Sequence, residues 1–205
     1  MPPAFTEYRV EELDQRQSYR LLTTIVVPRP IAWVSTVSSA RVPNLAPFSY
    51  FSALAADPML IGISIGDRAS GDPKDSLRNI RDTGVFCVNV VTASQLDAMN
   101  ATAASLPPES SEFDAVRLEL AWTESTGVPF VASCPVVLEC VLNREVDLAP
   151  ARSALVIGNV QAVRVREDVL SDDPYSIDAE RLEPVGRLGG KLYAMPGPIA
   201  ELPRP

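Results

Sequence analysis

Lys74, Asp75 and Ser76 open a segment patterned as a helix, directly after a loop bounded by Gly66 and Gly71. A helix N-terminus presents free backbone N–H groups and a positive partial charge, which together favour a phosphate or a similar anion. Lys74 adds a full positive charge there, and Ser76 adds a hydroxyl donor. Asp75 would repel an anion unless it caps the backbone or binds a ligand hydroxyl. Each such interaction is worth only ~0.3–1 kcal/mol when exposed, so several must converge on one ligand. Arg29, fixed between Pro28 and Pro30 at the mouth of a strand, is a second cation if the two loops meet. Both features also have plain readings: an ordinary capped surface helix for Lys74–Ser76, and a surface salt-bridge partner for Arg29.

A third segment, Asn44-Leu45-Ala46-Pro47-Phe48-Ser49-Tyr50-Phe51, combines amide and hydroxyl groups with aromatic rings. Together with Trp33 it could receive a flat ligand. Trp33 and Phe48 are more often core residues than a shelf for a cofactor, and Asn44 also reads as a turn residue.

What the chain lacks narrows the chemistry further. It contains no histidine, which removes Ser-His-Asp and Cys-His catalysis and every His-ligated metal. Cys87, Cys134 and Cys140 have spacings that suit no metal site. If Val136–Leu142 is a strand, Cys134 and Cys140 stand roughly 20 Å apart, too far for a disulfide. All three then read as reduced, buried thiols acting as small hydrophobes. Reactivity is left to carboxylates, Lys and Arg, hydroxyls, or a cofactor that brings its own.

Eighteen basic against 26 acidic residues give the 205-residue chain a formal charge of −8. That balance speaks against nucleic-acid binding, which normally needs a basic stripe. No two Lys or Arg residues are adjacent, so a polybasic membrane patch is not expected either. Apolar stretches such as Leu21–Val27 and Met59–Gly66 fall far short of the ~18 residues of a membrane span. Met1 to Arg20 lacks the apolar segment of a signal peptide, and a cytoplasmic location is expected.

The elements that must position these groups follow from pattern. Asp14–Thr24 reads as a short helix after a loose arm over about residues 1–13. Ile31–Val37, Met59–Ile65 and Val85–Val91 read as strands rich in β-branched residues. Asn44–Ala56 begins extended, with Pro47 suited to a bulge or an edge. Asp72 can cap the helix after it, with Pro73 at its first position and Gly84 at its end. Ser94–Ala104 reads as a second short helix and Leu106–Glu112 as a loop. Val116, Leu118, Leu120 and Trp122 alternate with Arg117 and Glu119, and Val136–Val146 and Leu155–Val165 continue the period of two. From about residue 170 to 205 the chain is irregular. The sum is one domain, mainly β, with six to seven mostly antiparallel strands in a small barrel and short peripheral helices. A Rossmann fold is excluded, because Ser-Ser-Ala-Arg follows the first strand instead of a glycine-rich turn.

Taken in order, Arg29-Pro-Ile-Ala-Trp-Val-Ser-Thr, Asn44-Leu-Ala-Pro-Phe-Ser-Tyr-Phe, Asp57-Pro58 and Lys74-Asp-Ser-Leu-Arg-Asn-Ile resemble the flavin reductase-like FMN-binding family. Thr83-Gly-Val-Phe-Cys-Val-Asn89, Ser111-Glu-Phe-Asp114, Gly127-Val-Pro129, Glu139-Cys140, Val156-Ile-Gly158, and Arg187-Leu-Gly-Gly190 with Tyr193 extend the match from about Tyr19 to Tyr193. The family includes flavoredoxins and the reductase components of two-component monooxygenases.

The resemblance implies a split β-barrel that forms a homodimer, with FMN, or in some members FAD, near the subunit interface. It implies NADH or NADPH as electron donor and a monooxygenase or other redox protein as a possible partner. The implied flavin-binding residues are Arg29, Trp33, Asn44, Leu45, Ala46, Pro47, Ser49, Lys74, Asp75 and Ser76. Lys74 and Ser76, with Arg29 and Ser49, are assigned to the phosphate, and Asn44, Leu45 and Ala46 to the isoalloxazine rim with Trp33 nearby. Many relatives carry a histidine just before the Val-Ile-Gly strand, where this chain has Arg152-Ser153; a later histidine is replaced by Arg164. Hydride transfer between nicotinamide and flavin needs alignment at about 3–3.5 Å and no protein base, so no catalytic side chain is expected. A flavoredoxin-like electron carrier and a non-redox barrel that has lost flavin are the alternatives.

Overall fold

Pairing of the alternating apolar segments produces one seven-stranded antiparallel sheet, and everything else is attached to it. In the computed structural model, which describes residues 3–203, the strands are β1 (Arg29–Pro30), β2 (Ala32–Val37), β3 (Pro43–Phe48), β4 (Phe51–Ala56), β5 (Met59–Gly66), β6 (Val85–Val90), β7 (Leu120–Trp122), β8 (Pro129–Val131), β9 (Val136–Asp147), β10 (Ser153–Val165), β11 (Gly186–Arg187) and β12 (Tyr193–Ala194). The helices are α1 (Gln15–Ile25), α2 (Asp75–Thr83), α3 (Leu96–Ala101), α4 (Glu112–Ala115) and α5 (Ala179–Leu182). Met1, Pro2, Arg204 and Pro205, the outer ends of the expected arm and tail, lie outside the described residues.

The main sheet runs β3-β2-β6-β9-β10-β5-β4, which puts β3 and β4 at opposite edges. Only Ser49 and Tyr50 separate those two strands in the chain. From Phe48 to Phe51 the backbone can span at most about 11 Å, whereas the edges of a flat seven-stranded sheet lie about 29 Å apart. The sheet must therefore curl until its edges nearly meet, although no ladder joins β3 to β4. Inside the curl, Val34, Phe48, Ile63, Phe86, Val88, Cys140 and Val156 form one buried cluster, into which α2 inserts Leu77 and Ile80. Gly158 is required there: a Cβ would come within 2.5 Å of the Phe86 ring.

The opposite face of β2 and β6 is covered as well. Trp33, Cys87, Met99, Phe113, Val128, Val131 and Val137 make a second cluster beneath α3, α4 and the β7–β8 hairpin. This double burial explains why every residue of Ala32–Val37 is buried with no alternation of inside and outside faces.

Several boundaries differ from expectation. Asp14 caps α1 through a reciprocal bond pair with Gln17, as the helix spacing implies. At α2, however, the N-cap is Lys74, with no side-chain cap bond, and Asp72 instead accepts from Ser70 Oγ in the preceding loop. Gly84 ends α2 in the left-handed conformation, as expected. Pro47 lies on the edge strand β3. The strand expected from Val116 shrinks to β7, because Glu112–Ala115 is helical and Arg117 takes a positive φ of 56°. The C-terminal stretch contributes β11 and β12, which pair with each other and, through β11, with β1. All three cysteines are buried and free.

Candidate functional site

The start of α2 opens onto a cleft of about 470 Å³. Its walls come from β3 (Asn44, Ala46, Pro47), the loop after β5 (Asp67 to Ser70), Lys74–Ser76, the chain after α3, and Glu112. The N–H groups of the first turn of α2 receive no side-chain cap, which leaves that end able to receive a ligand oxygen. Asp75 does not stand as a free negative charge. Arg68 pairs with one of its oxygens, and Arg78 with the other at 2.9 Å. Arg68 Nε is buried without a hydrogen-bond partner, an orphan donor in the cleft wall. Lys74 forms no ion pair among the described residues, and its Nζ lies 5.3 Å from the centre of the Phe48 ring. Desolvation in the cleft wall, with the Arg68 charge second, lowers the Lys74 pKa although the residue remains exposed.

Asn44 and Ser76 are both buried, and Asn44 Nδ2 donates to Ser76 Oγ at 2.9 Å. Glu112 accepts the Leu45 N–H at 2.9 Å, closing part of the free edge of β3. Burial pushes the Glu112 carboxyl up, and the Asp75 charge adds to this, while the Leu45 bond and Arg68 oppose it.

A second recess of about 210 Å³ shares Pro47 and Ala103 with the first. Ser49, Tyr19, Asn100, Arg187 and Tyr193 help to line it. Arg187 stacks over the Tyr193 ring at 4.5 Å, and the Tyr193 hydroxyl donates to Asn100 Oδ1 at 2.9 Å.

Of the residues singled out from sequence, Asn44, Ala46, Pro47, Lys74, Asp75 and Ser76 line the first cleft, and Pro47 and Ser49 line the second. Arg29, Trp33 and Leu45 line neither. Arg29 is buried, and its guanidinium donates to the carbonyls of Thr23 (2.7 Å), Val26 (2.6 Å) and Leu188 (3.2 Å). It staples α1 and the C-terminal stretch to β1. Trp33 is fully buried, with its indole N–H on Thr102 Oγ1 at 2.9 Å. Arg68 and Glu112 were missed: the first occurs in a loop with no motif of its own, and the second at the end of an expected loop.

The sequence matches the flavin reductase like domain over residues 24–185, most of the chain. It belongs to that family. Among solved structures, this flavin reductase-like chain is similar to nitrilotriacetate monooxygenase component B from Bacillus cereus, with 36% identity, a TM-score of 0.91, and 98% of this chain and 100% of the other covered. Similarity to the 2-nitrobenzoate 2-nitroreductase NbaA of Pseudomonas fluorescens gives 30% identity, a TM-score of 0.89, and 98% and 96% covered. A Shewanella frigidimarina protein described as having a split barrel domain shares the fold at 24% identity and a TM-score of 0.85, with 98% and 99% covered. These relationships make the chain an oxidoreductase of flavin reductase type, in agreement with the seven-stranded curled sheet. Among the described residues no helix is long and apolar enough to cross a membrane, and no group of three or more acidic or cysteine side chains could hold a metal.

The cleft residues suit a flavin phosphate. An uncapped helix start, the orphan Arg68 Nε, the unpaired Lys74 and the buried Ser76 hydroxyl all supply donors, and the Asp75 charge is paired, which leaves Asp67 and Glu112 as the other acids of the wall. Arg152, just before β10, has a φ of 49° and packs on the loop that forms the cleft wall. A Cβ on Gly71 of that loop would lie 2.6 Å from Arg152 Nη2.

Proposed function

We propose that this chain binds FMN and acts as an NAD(P)H-dependent flavin reductase. The observation that carries the reading is the convergence of the α2 N-terminus, Lys74, Ser76 and the unsatisfied Arg68 Nε on one cleft of about 470 Å³. Lys74, Ser76 and the first N–H groups of α2 would hold the phosphate, and Asn44, Ala46, Pro47 and Ser49 would border the ring system. A phosphate monoester carries about −1.5 to −2 at pH 7, more than either phosphate of a dinucleotide, so this donor set favours FMN over FAD. When bound, FMN supplies the two-electron chemistry between nicotinamide and acceptor; the chain binds, orients and excludes water. Leading occupants of the second recess are the outer ring edge and the donor. The name of the Bacillus cereus relative supports a monooxygenase as recipient of the reduced flavin. The assembly we propose is a homodimer, in the cytoplasm.

Titration of the purified protein with FMN should quench flavin fluorescence with 1:1 stoichiometry per chain. NADH or NADPH oxidation should then exceed the free-flavin background. No binding, or no turnover with either donor, would sink the reductase reading. Arg152-Ser153 in place of the histidine favours one second reading, a flavoredoxin-like carrier. Its signature is FMN that copurifies and is reduced only by a protein donor.

A further inference from the structure

Beneath the cleft floor, four buried polar side chains form a chain of hydrogen bonds across three elements. Thr36 on β2 is 0% exposed, Asn44 on β3 8%, and Ser76 and Asn79 on α2 1% and 4%. Asn79 Nδ2 donates to Thr36 Oγ1 at 3.0 Å, and Asn44 Nδ2 donates to the same oxygen at 3.2 Å. The other Asn44 amide proton goes to Ser76 Oγ at 2.9 Å. Both acceptor positions of the Thr36 oxygen are thereby filled, and both protons of the Asn44 amide are spent. Asn44 is held with its N–H₂ group toward α2. The Ser76 oxygen, already accepting one proton, keeps its own proton to give, and Ser76 lines the cleft.

Apolar packing would fill this space at no loss of stability, since a buried polar group recovers little net energy even when fully bonded. Thr36 lies between Ser35 and Val37 on a strand whose every residue is buried. A valine there would have nearly the same shape. What the threonine adds is orientation.

We propose that Thr36 and Asn79 are positioning residues that act through Asn44 to hold the Ser76 hydroxyl as a donor to the phosphate monoester of the ligand. This rests on the FMN reading above. Neither residue lines the cleft, so any effect on ligand binding is indirect, and a phosphate-specific effect separates the bond chain from general support of the scaffold.

The test compares FMN with riboflavin, which has the same ring and ribityl chain but no phosphate. Dissociation constants for both are measured by fluorescence titration on wild type, Thr36→Val, Thr36→Ser and Asn79→Ala, with the melting temperature of each ligand-free protein. Thr36→Val should weaken FMN about 10-fold, the scale of a lost bond to a charged group, and leave riboflavin within about 2-fold. Thr36→Ser, which keeps the oxygen, should restore FMN affinity. Asn79→Ala, which loosens only the far end of the chain, should give a smaller phosphate-specific loss and serves if Thr36→Val does not fold. FMN and riboflavin weakening together would assign the residues to scaffold stability and overturn the proposal. Unchanged FMN affinity in Thr36→Val and Asn79→Ala, with wild type binding FMN normally, would overturn it while leaving the reductase reading intact. Wild type that binds neither flavin would overturn both.

Discussion

Lys74 and Arg68 are cations a few residues apart, and the fold gives them different work. Arg68 spends its Nη2 on Asp75 and keeps its buried Nε unpartnered, while Lys74 stays without an ion pair among the described residues. Desolvation and the Arg68 charge lower the Lys74 pKa below the ordinary lysine value, so its proton is lost earlier as pH rises. Phosphate binding favours the protonated form. FMN affinity should therefore be full below the lowered pKa and fall as pH climbs through it, beginning before an ordinary lysine would titrate. Lys74→Ala should weaken FMN about 10-fold at neutral pH and low salt and abolish that alkaline decline, while the ligand-free melting temperature moves little. Fluorescence titrations from neutral to alkaline pH check both parts, and wild-type affinity in the variant would remove Lys74 from the site. Lys74 and Ser76 were legible in sequence because their chemistry is local to a helix start. Arg29 was not. Whether a guanidinium is free depends on which carbonyls the fold brings to it, and the Leu188 carbonyl comes from 159 residues away. Arg68 was hidden for the same reason: its pairing exists only once the loop to Asp72 folds back on α2.

At the level of elements, the free edge of β3 needs a partner for the Leu45 N–H, and α4 supplies one through Glu112. Sequence patterning missed this because a four-residue helix carries almost no periodicity, and Leu106–Glu112 with its paired prolines reads as a loop. The long strands β9 and β10 were legible because apolar and β-branched residues recur along 12 and 13 residues, but the expected period of two does not persist, since two register shifts interrupt their ladder at Ile157/Gly158 and Val160/Ala162. Burial raises the folded pKa of Glu112 above its unfolded value. The folded state then holds the extra proton, and the stability it confers is complete below the unfolded pKa and lost as pH rises through the folded one. Glu112→Gln keeps an acceptor for Leu45 but cannot ionise. Urea unfolding should show wild type losing stability as pH rises from the unfolded to the folded pKa, with a flatter profile in Glu112→Gln. Glu112→Ala strands the Leu45 N–H and should cost about 1–3 kcal/mol throughout. Parallel pH profiles for wild type and Glu112→Gln would mean that the carboxyl does not titrate in that window.

The whole molecule leaves one edge uncovered. β4 carries no charged residue, and Ala53, Leu54, Ala55, Ala56 and the adjoining Met59 are exposed, with Leu54 and Met59 each at 48%. Edge strands are usually blunted by lysine, proline or a bulge; of these β4 has only the bulge, a register shift between Ala53 and Ala55. Such an apolar edge invites a second copy of the chain, which accords with the proposed homodimer. Ser49 and Tyr50 connect β4 directly to the cleft strand β3, so packing against β4 also braces the residues that border the second recess. Dimerisation and flavin binding should then be linked, and FMN affinity should rise with protein concentration across the dimer transition. Leu54→Lys would place a charge in the apolar edge, and sedimentation should show a dimer constant at least about 10-fold weaker than wild type. At equal protein concentration the variant should bind FMN more weakly, and raising its concentration should recover the loss. A wild type that sediments as a monomer from about 1 to 100 µM would exclude this interface. A monomeric Leu54→Lys with full FMN affinity would separate the interface from the site and make the cleft complete within one chain.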